Sequence, residues 1–233
     1  MMFEIFKTLE FAPFLLSFKL AAVVTLILFG ISLFLAWYLS QMTSKWKPIL
    51  EAISALPIVL PPSVLGFYIL YTLSFNSPIG AFFYEYFGVK MVFNFTGLVI
   101  ASCFYSLPFM VQPLQSGFEA LPKNMLEASY IAGKSKLVTL FKVALPNIKP
   151  SLMTAIVITF AHTVGEFGVV LMVGGSIPSQ TKVASVAIYE MVEIMDYTSA
   201  HIYSGIMVVI SFVVLLSVYI FNRKQSHSLG GIV

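Results

Sequence analysis

A chain of 233 residues that is 59% hydrophobic, 15% aromatic and only 10% charged, with a mean hydropathy of +0.94, lies outside the range of soluble globular domains. The bilayer is its expected solvent, which argues against a free cytosolic protein or a nucleic-acid partner. The net charge of +3 says less than where the 13 Lys and Arg residues sit, and a single cysteine, Cys103, excludes an intrachain disulfide.

Crossing about 30 Å of hydrocarbon takes roughly 20 apolar residues. Five runs are that long: about 13–38, 50–73, 92–115, 151–175 and 203–221. Lipid offers no partner to a bare backbone, so these runs are expected as helices, and the alternating pattern of a membrane barrel is absent. The first run is too long for the apolar region of a signal peptide. It has only Lys7 clearly ahead of it and no small-residue cleavage site, so it reads as a retained helix. The second opens EAISALPIVLPPSVLGFYIL, where Pro57, Pro61 and Pro62 each lack a backbone donor. At membrane depth a broken helix is tolerated only where protein or a water-filled cavity covers it. That leaves a plain kink or a span that lines a path. Cys103, inside the third run, reads as a small buried hydrophobe rather than a redox centre.

The connection 116–150 is too short for a core of its own, yet it holds Lys123, Lys134, Lys136, Lys142 and Lys149. It parses as two short helices. Pro122 suits a first helical position, and Asn124 with Glu127 resembles a capping box. Met125, Ala128, Ser129 and Ala132 share a face almost free of bulk, and Gly133 suits the left-handed residue that ends a helix. Ser135 is placed to cap a second helix with an apolar stripe at Leu137, Leu140, Phe141 and Ala144, ended by Leu145-Pro146. The GKS at 133–135 is not a phosphate-binding loop, because Ala128 stands where the required glycine belongs and no strand precedes it.

In the fourth run Glu166 lies one helical turn after His162, flanked by Gly165 and Gly168. Ionisable residues inside a span usually face a bundle interior or a cavity. A path or gate residue is one reading, and a His162–Glu166 hydrogen bond that locks helices is the other. A reading of a different class is an intramembrane metalloenzyme using His162 and Glu166, although a catalytic zinc usually takes three protein ligands. Lys45, Lys47, the five lysines of the 116–150 connection, Arg223 and Lys224 all fall on one side, against Lys7, Lys90 and Lys182 with Lys19 snorkelling on the other. Cations concentrate in the cytoplasm, which predicts an outer N-terminus and an inner C-terminus.

Glu127-Ala128-Ser129, three residues, Gly133, nine residues, Val143, Ala144 and Leu145-Pro146 is similar to the E-A-A-x3-G-x9-I-x-L-P signature of ABC importer permeases. It departs at Ser129 for Ala and at Val143 for Ile. The stretches LPIVLPPSVLGFYIL (56–70) and GEFGVVLMVGGSIPSQTKVASVAIYE (165–190) resemble the corresponding segments of molybdate permeases, with close similarity to sulfate permeases. The likeness covers about residues 14–221, and five spans suit the molybdate type, since sulfate permeases usually carry a sixth.

The resemblance implies an all-α integral membrane protein with the type I ABC importer permease fold, a transmembrane domain over 14–221 and a short cytoplasmic tail over 222–233. The loop would form a coupling helix docked in a separate cytoplasmic ATPase dimer, through Glu127, Ala128, Ser129, Ala132, Gly133, Leu145 and Pro146. Pro61, Pro62, Ser63, Gly165, Glu166 and Gly168 are the expected path or gate residues. No catalytic residue, metal ligand or cofactor is expected in this chain, ATP and Mg belonging to the ATPase. A second copy of the chain and a periplasmic oxyanion-binding protein complete the expected partners, in a bacterial inner membrane. The binding protein would deliver cargo to VGGSIPSQT (173–181), which offers donors and hydroxyls. Molybdate is the expected cargo, with tungstate, sulfate and thiosulfate as alternatives.

Overall fold

Pro13 opens the first helix, α1 (Ala12–Gln41), and nothing in its 30 residues breaks the backbone ladder. This computed structural model describes residues 10–229, the last turns of its final helix by their backbone alone, and no strand occurs among them. Lys7 and the end of the 222–233 tail lie outside the described residues. The second apolar run is not one helix. It divides at Leu60–Pro61 into α2 (Lys47–Val59) and α3 (Pro62–Leu73), bent by 107°. Pro61 and Pro62 supply no N–H to the preceding turn, so the ladder ends there. A further helix, α4 (Pro78–Phe87), follows, capped by the Ser77 hydroxyl and stopped by left-handed Gly88.

The third run is α5 (Phe95–Glu119), capped by Asn94, whose side chain accepts from Gly97 N. The 116–150 connection then folds as α6 (Lys123–Ile131) and α7 (Lys136–Asn147), the latter widened to a π-turn at Leu140–Ala144. The π-turn fits the sequence, since Pro146 cannot donate to Lys142 and Leu145 N–H bonds instead to Leu140 O. Leu145-Pro146 therefore does not end the helix, which runs on to Asn147 before an 83° bend into α8 (Lys149–Val164). The fourth apolar run also breaks, at Gly165–Phe167, and resumes as the short α9 (Gly168–Gly174). The chain closes with α10 (Ala184–Glu193) and α11 (Tyr197–Leu229). The fifth run thus lengthens into the tail segment, where no Gly or Pro follows Gly205 to stop it before Leu229.

Among the described residues, three helices are long and apolar enough to cross a membrane, α1, α5 and Tyr197–Ser217 of α11, and up to five spans result if each bent pair counts as one. The centre of the molecule is α1 packed along α5, with α8 against both. Leu20, Val24, Leu28, Leu39, Leu98, Met110, Leu114 and Phe118 are fully buried there, and Trp37 meets Phe118 edge-on at 5.1 Å. Helices α3 and α9 form a flanking pair, and α10 carries α11. Most of α11 is exposed: in the Tyr197–Ser217 span only 11% of the most apolar window is buried. Such a surface needs lipid or another chain as its solvent.

Candidate functional site

The two broken spans meet. Gly168 opens α9 against Pro62, which opens α3, and a Cβ added at Gly168 would lie 2.8 Å from Pro62 Cβ. At Gly165 the same test finds only carbonyls of its own helix, at 3.7 and 3.8 Å, so of these two glycines Gly168 makes the close approach. Around this junction lies a cleft of about 480 Å3 lined by Pro62, Tyr105, His162, Gly165, Glu166 and Gly168, with Ala161 and Phe167. Four of the expected path residues are brought together there. Pro61 and Ser63 flank it, exposed, at the start of α3.

Glu166 is not inside a helix but in the break between α8 and α9, 3% exposed. No well-formed hydrogen bond reaches either carboxylate oxygen among the described residues, and the buried Ser102 hydroxyl of α5 is the polar group that stands beside them. Its backbone is held, since Ser185 Oγ of α10 donates to Glu166 O at 2.6 Å. An unpaired acid in so dry a place is costly, which is why such residues usually have a task.

His162 does not bond to Glu166. Its ring stacks on Phe109 at 3.9 Å and touches Tyr105 at 4.8 Å, while Nδ1 lies 3.0 Å from Ser106 Oγ. Ser106 in turn meets Thr163 Oγ1 at 2.9 Å, and Thr163 donates to Thr159 O. The histidine is thus a packing and hydrogen-bonding link between α8 and α5, and the His162–Glu166 lock is not formed. As a metal site the pair lacks company: among the described residues no third His, Cys, Asp or Glu side chain joins them.

Part of the VGGSIPSQT segment is spent on its own turn. Thr181 is fully buried, donating to Gly174 O and accepting from Ile177 N, and Ile177 O takes the N–H groups of Gln180, Thr181 and Lys182. Pro178, Ser179 and Gln180 remain as its exposed tip.

At the other end, α6 differs in detail from the sequence reading. Pro122 is the N-cap, not the first helical residue, and no side chain caps the helix, so Asn124 and Glu127 form no capping box. A proline cap has no side-chain acceptor to offer, and only its carbonyl takes part, accepting from Met125 N at 3.1 Å. The C-terminus is as expected: Gly133 has φ +72°, Gly133 N bonds to Tyr130 O and Lys134 N to Ser129 O, a Schellman ending. The small face divides. Ser129 is buried, its hydroxyl 2.8 Å from Thr139 of α7, while Ala128, Ala132 and Gly133 stay exposed beside Glu127. Ile131, 87% exposed, belongs to that outer face and was not foreseen. Its apolar side chain at a helical position beside Ala128 was the available signal. Ser135 caps α7 by accepting from Val138 N. The stripe of α7 divides too, with Leu140 and Ala144 buried, Leu137 60% exposed and Phe141 edge-on to Phe34 of α1.

Residues 27–227 match the family described as binding-protein-dependent transport system inner membrane component. The chain is 44% identical over 218 residues to the molybdenum transport system permease protein ModB of Azotobacter vinelandii, covering 93% of this chain and 96% of that one. It is 31% identical over 209 residues to the sulfate transport system permease protein CysT of Salmonella typhimurium, covering 89% of this chain and 74% of that one. Among solved structures, the fold is similar to a bacterial ABC transporter that imports the acidic polysaccharide alginate (TM-score 0.75, 16% identity, 91% of this chain and 78% of that one). It is also similar to the inward-facing MetNI methionine ABC transporter (TM-score 0.69, 17% identity, 91% and 94%).

Proposed function

Because the chain belongs to the family of binding-protein-dependent transport system inner membrane components, we propose that it is the permease subunit of an ATP-driven importer whose cargo is molybdate. The observation that carries the cargo is the end-to-end match to a molybdenum permease, at 44% identity over 96% of that protein. Sulfate permeases match at 31% and over 74% of their length, so sulfate, with thiosulfate and tungstate, is the second reading. The chain is a membrane permease and not an enzyme; ATP hydrolysis falls to separate ATPase subunits.

An isolated dianion faces a desolvation cost on the order of tens of kcal/mol in hydrocarbon, so it needs a wet path open to one side at a time. Few spans are available to enclose one, which favours a pair of chains with the path on their two-fold axis. The transmembrane unit is residues 14–221, and Pro61, Pro62, Ser63, Gly165, Glu166 and Gly168 border the path. The meeting of two helix breaks at the cleft supports that assignment. Glu166 is not assigned to gripping the cargo, because in its ionised form a carboxylate would repel an oxyanion. Helix α6 is the coupling helix, docking in the ATPase through Glu127, Ala128, Ala132 and Gly133, with Ile131 added to that face. Ser129 ties α6 to α7, and Leu145 and Pro146 shape the return to the membrane. A periplasmic binding protein delivers the anion at Ser179 and Gln180, and holds most of the specificity.

The test is co-purification of the chain with its ATPase and binding protein, reconstitution into proteoliposomes, and measurement of ATP hydrolysis and uptake with each oxyanion. Molybdate should stimulate hydrolysis and accumulate. Stimulation by sulfate but not by molybdate would transfer the assignment to the second reading, and no stimulation by any oxyanion would overturn it.

A further inference from the structure

Lys47 Nζ lies 2.7 Å from Glu119 Oε1 and 3.8 Å from Glu51 Oε1. Gln115 Nε2 donates to Glu51 Oε1 at 2.5 Å and to Glu119 Oε1 at 3.0 Å. Lys47 and Glu51 stand on the first turns of α2, Gln115 and Glu119 on the last turns of α5. The sequence carries a signal for both halves: the pair at i, i+4 on α2, and Gln112, Gln115 and Glu119 at i, i+3, i+7 on α5. An isolated exposed pair such as Lys47–Glu51 contributes little. A closed set of contacts joining two helices through a shared amide is different, because each member fixes the next.

What surrounds this network gives it consequence. Beside it is a cleft of about 400 Å3 lined by Glu51, Ser54, Gln112, Gln115, Ser116 and Glu119. Of the 13 residues of α2, only Ser54 and Pro57 are buried. Helix α2 is therefore a lightly packed arm, and the polar contacts at its first turns set its position on α5. On one side of the network, Glu119 is separated from α6 only by Ala120, Leu121 and Pro122. At the far end of the arm, α2 stops at the Pro61 break, where Pro62 touches Gly168 beside Glu166.

We propose that Lys47, Glu51, Gln115 and Glu119 form the linkage through which movement of α6 is passed to α2, and through the Pro61 break to the cleft around Glu166. They are positioning residues that touch no cargo. The inference rests on α6 being the docking element of the importer.

The experiment uses the full permease assembled with its ATPase and binding protein in proteoliposomes. Lys47→Glu, Glu119→Lys and the two together are compared with wild type for molybdate imported per ATP hydrolysed. Spin labels on α2 at Ile53 and on α6 at Tyr130, in a Cys103→Ser background, report the distance between arm and coupling helix. Each single reversal should leave ATPase recovery intact, lower molybdate per ATP about fivefold, the low end of usual site-to-site coupling, and broaden the distance distribution. The exchanged pair should restore both readouts, because the moved cation still faces Glu51 and an acid at position 47. Gln115→Leu keeps the side chain's bulk while removing both amide hydrogen bonds, and should act in the same direction if charge reversal prevents assembly. Wild-type coupling and an unchanged distance in the single variants, or in Gln115→Leu, would overturn the linkage, as would an exchanged pair no better than its worse parent. A wild-type complex that imports no molybdate would defeat the cargo assignment instead, and the distances would still judge the linkage.

Discussion

Glu166 combines three properties that an inert residue rarely has: it sits in a helix break, it is 3% exposed, and its carboxylate has no well-formed hydrogen bond among the described residues, with only the Ser102 hydroxyl beside it. Replacing it with an uncharged amide of the same shape separates chemistry from packing. Glu166→Gln should assemble normally and change molybdate imported per ATP by about fivefold or more, within the usual range of coupling energies. Wild-type coupling together with wild-type thermal stability would remove the residue from the path. A neighbouring position tests the junction itself. Gly168→Ala places a methyl group 2.8 Å from Pro62 Cβ, on a ring that cannot rotate away. Overpacking of this kind costs about 1–3 kcal/mol, so the melting temperature in detergent should fall by several degrees. An unchanged melting temperature would mean that α3 and α9 separate without penalty.

At the scale of single elements, α6 is fixed at its C-terminal end, while no side chain caps its start. Its Schellman ending requires φ +72° at Gly133, a conformation that costs a β-branched residue about 1–3 kcal/mol. Gly133→Val should therefore misdirect the helix, and Ala132→Trp should block its exposed face. Both are expected to abolish uptake and to weaken recovery of the ATPase in pull-downs while membrane insertion persists. Ile131→Glu, altering the most exposed apolar side chain of that face, should weaken recovery as well. Glu127 makes no cap, so Glu127→Ala should change stability by less than about 0.5 kcal/mol, and any effect on ATPase recovery would report its contact there. Leu137 is 60% exposed on α7, and Leu137→Trp should leave recovery unchanged. Full recovery with the Gly133, Ala132 and Ile131 variants together would show that α6 is not the docking element.

For the whole molecule, we propose from the cation distribution that residues 40–49, 116–150 and 222–233 are cytoplasmic. Single cysteines in a Cys103-free background, labelled from outside the cell, test this directly. Ser179→Cys, on the exposed tip between α9 and α10, should react, and Ser135→Cys, ahead of α7, should not. The reverse pattern would invert the topology, with the C-terminus outside. The pairing of two chains belongs to this scale as well. Cross-linking of the assembled complex should give a dimer of the permease, and a strictly monomeric permease in an active complex would require the path to lie within one chain.

The sequence by itself determined the bilayer as solvent, the all-α architecture, a kink or break among Pro57, Pro61 and Pro62, and the stop at Gly133, while the structure put the break at Leu60–Pro61 and kept Pro57 inside α2. Each follows from local physics: apolar runs cannot stay in water, proline lacks a donor, and only glycine enters left-handed backbone cheaply. Its charge within an apolar run also made Glu166 a candidate path residue, beside the alternative of a helix-locking contact. Tertiary structure decided the rest. Nothing local says that the break at Pro62 meets the break before Gly168, because that contact joins residues about a hundred apart in the chain, so close that a Cβ added at Gly168 would lie 2.8 Å from Pro62 Cβ. Nor does helical spacing reveal that Ser129 turns inward to Thr139, or that His162 bonds to Ser106 and stacks on Phe109 instead of meeting Glu166. A helical face is known from sequence, but which neighbour it meets is set by how the other helices pack, and that is where the cleft, the outer face of α6 and the Lys47–Glu119 contact were decided.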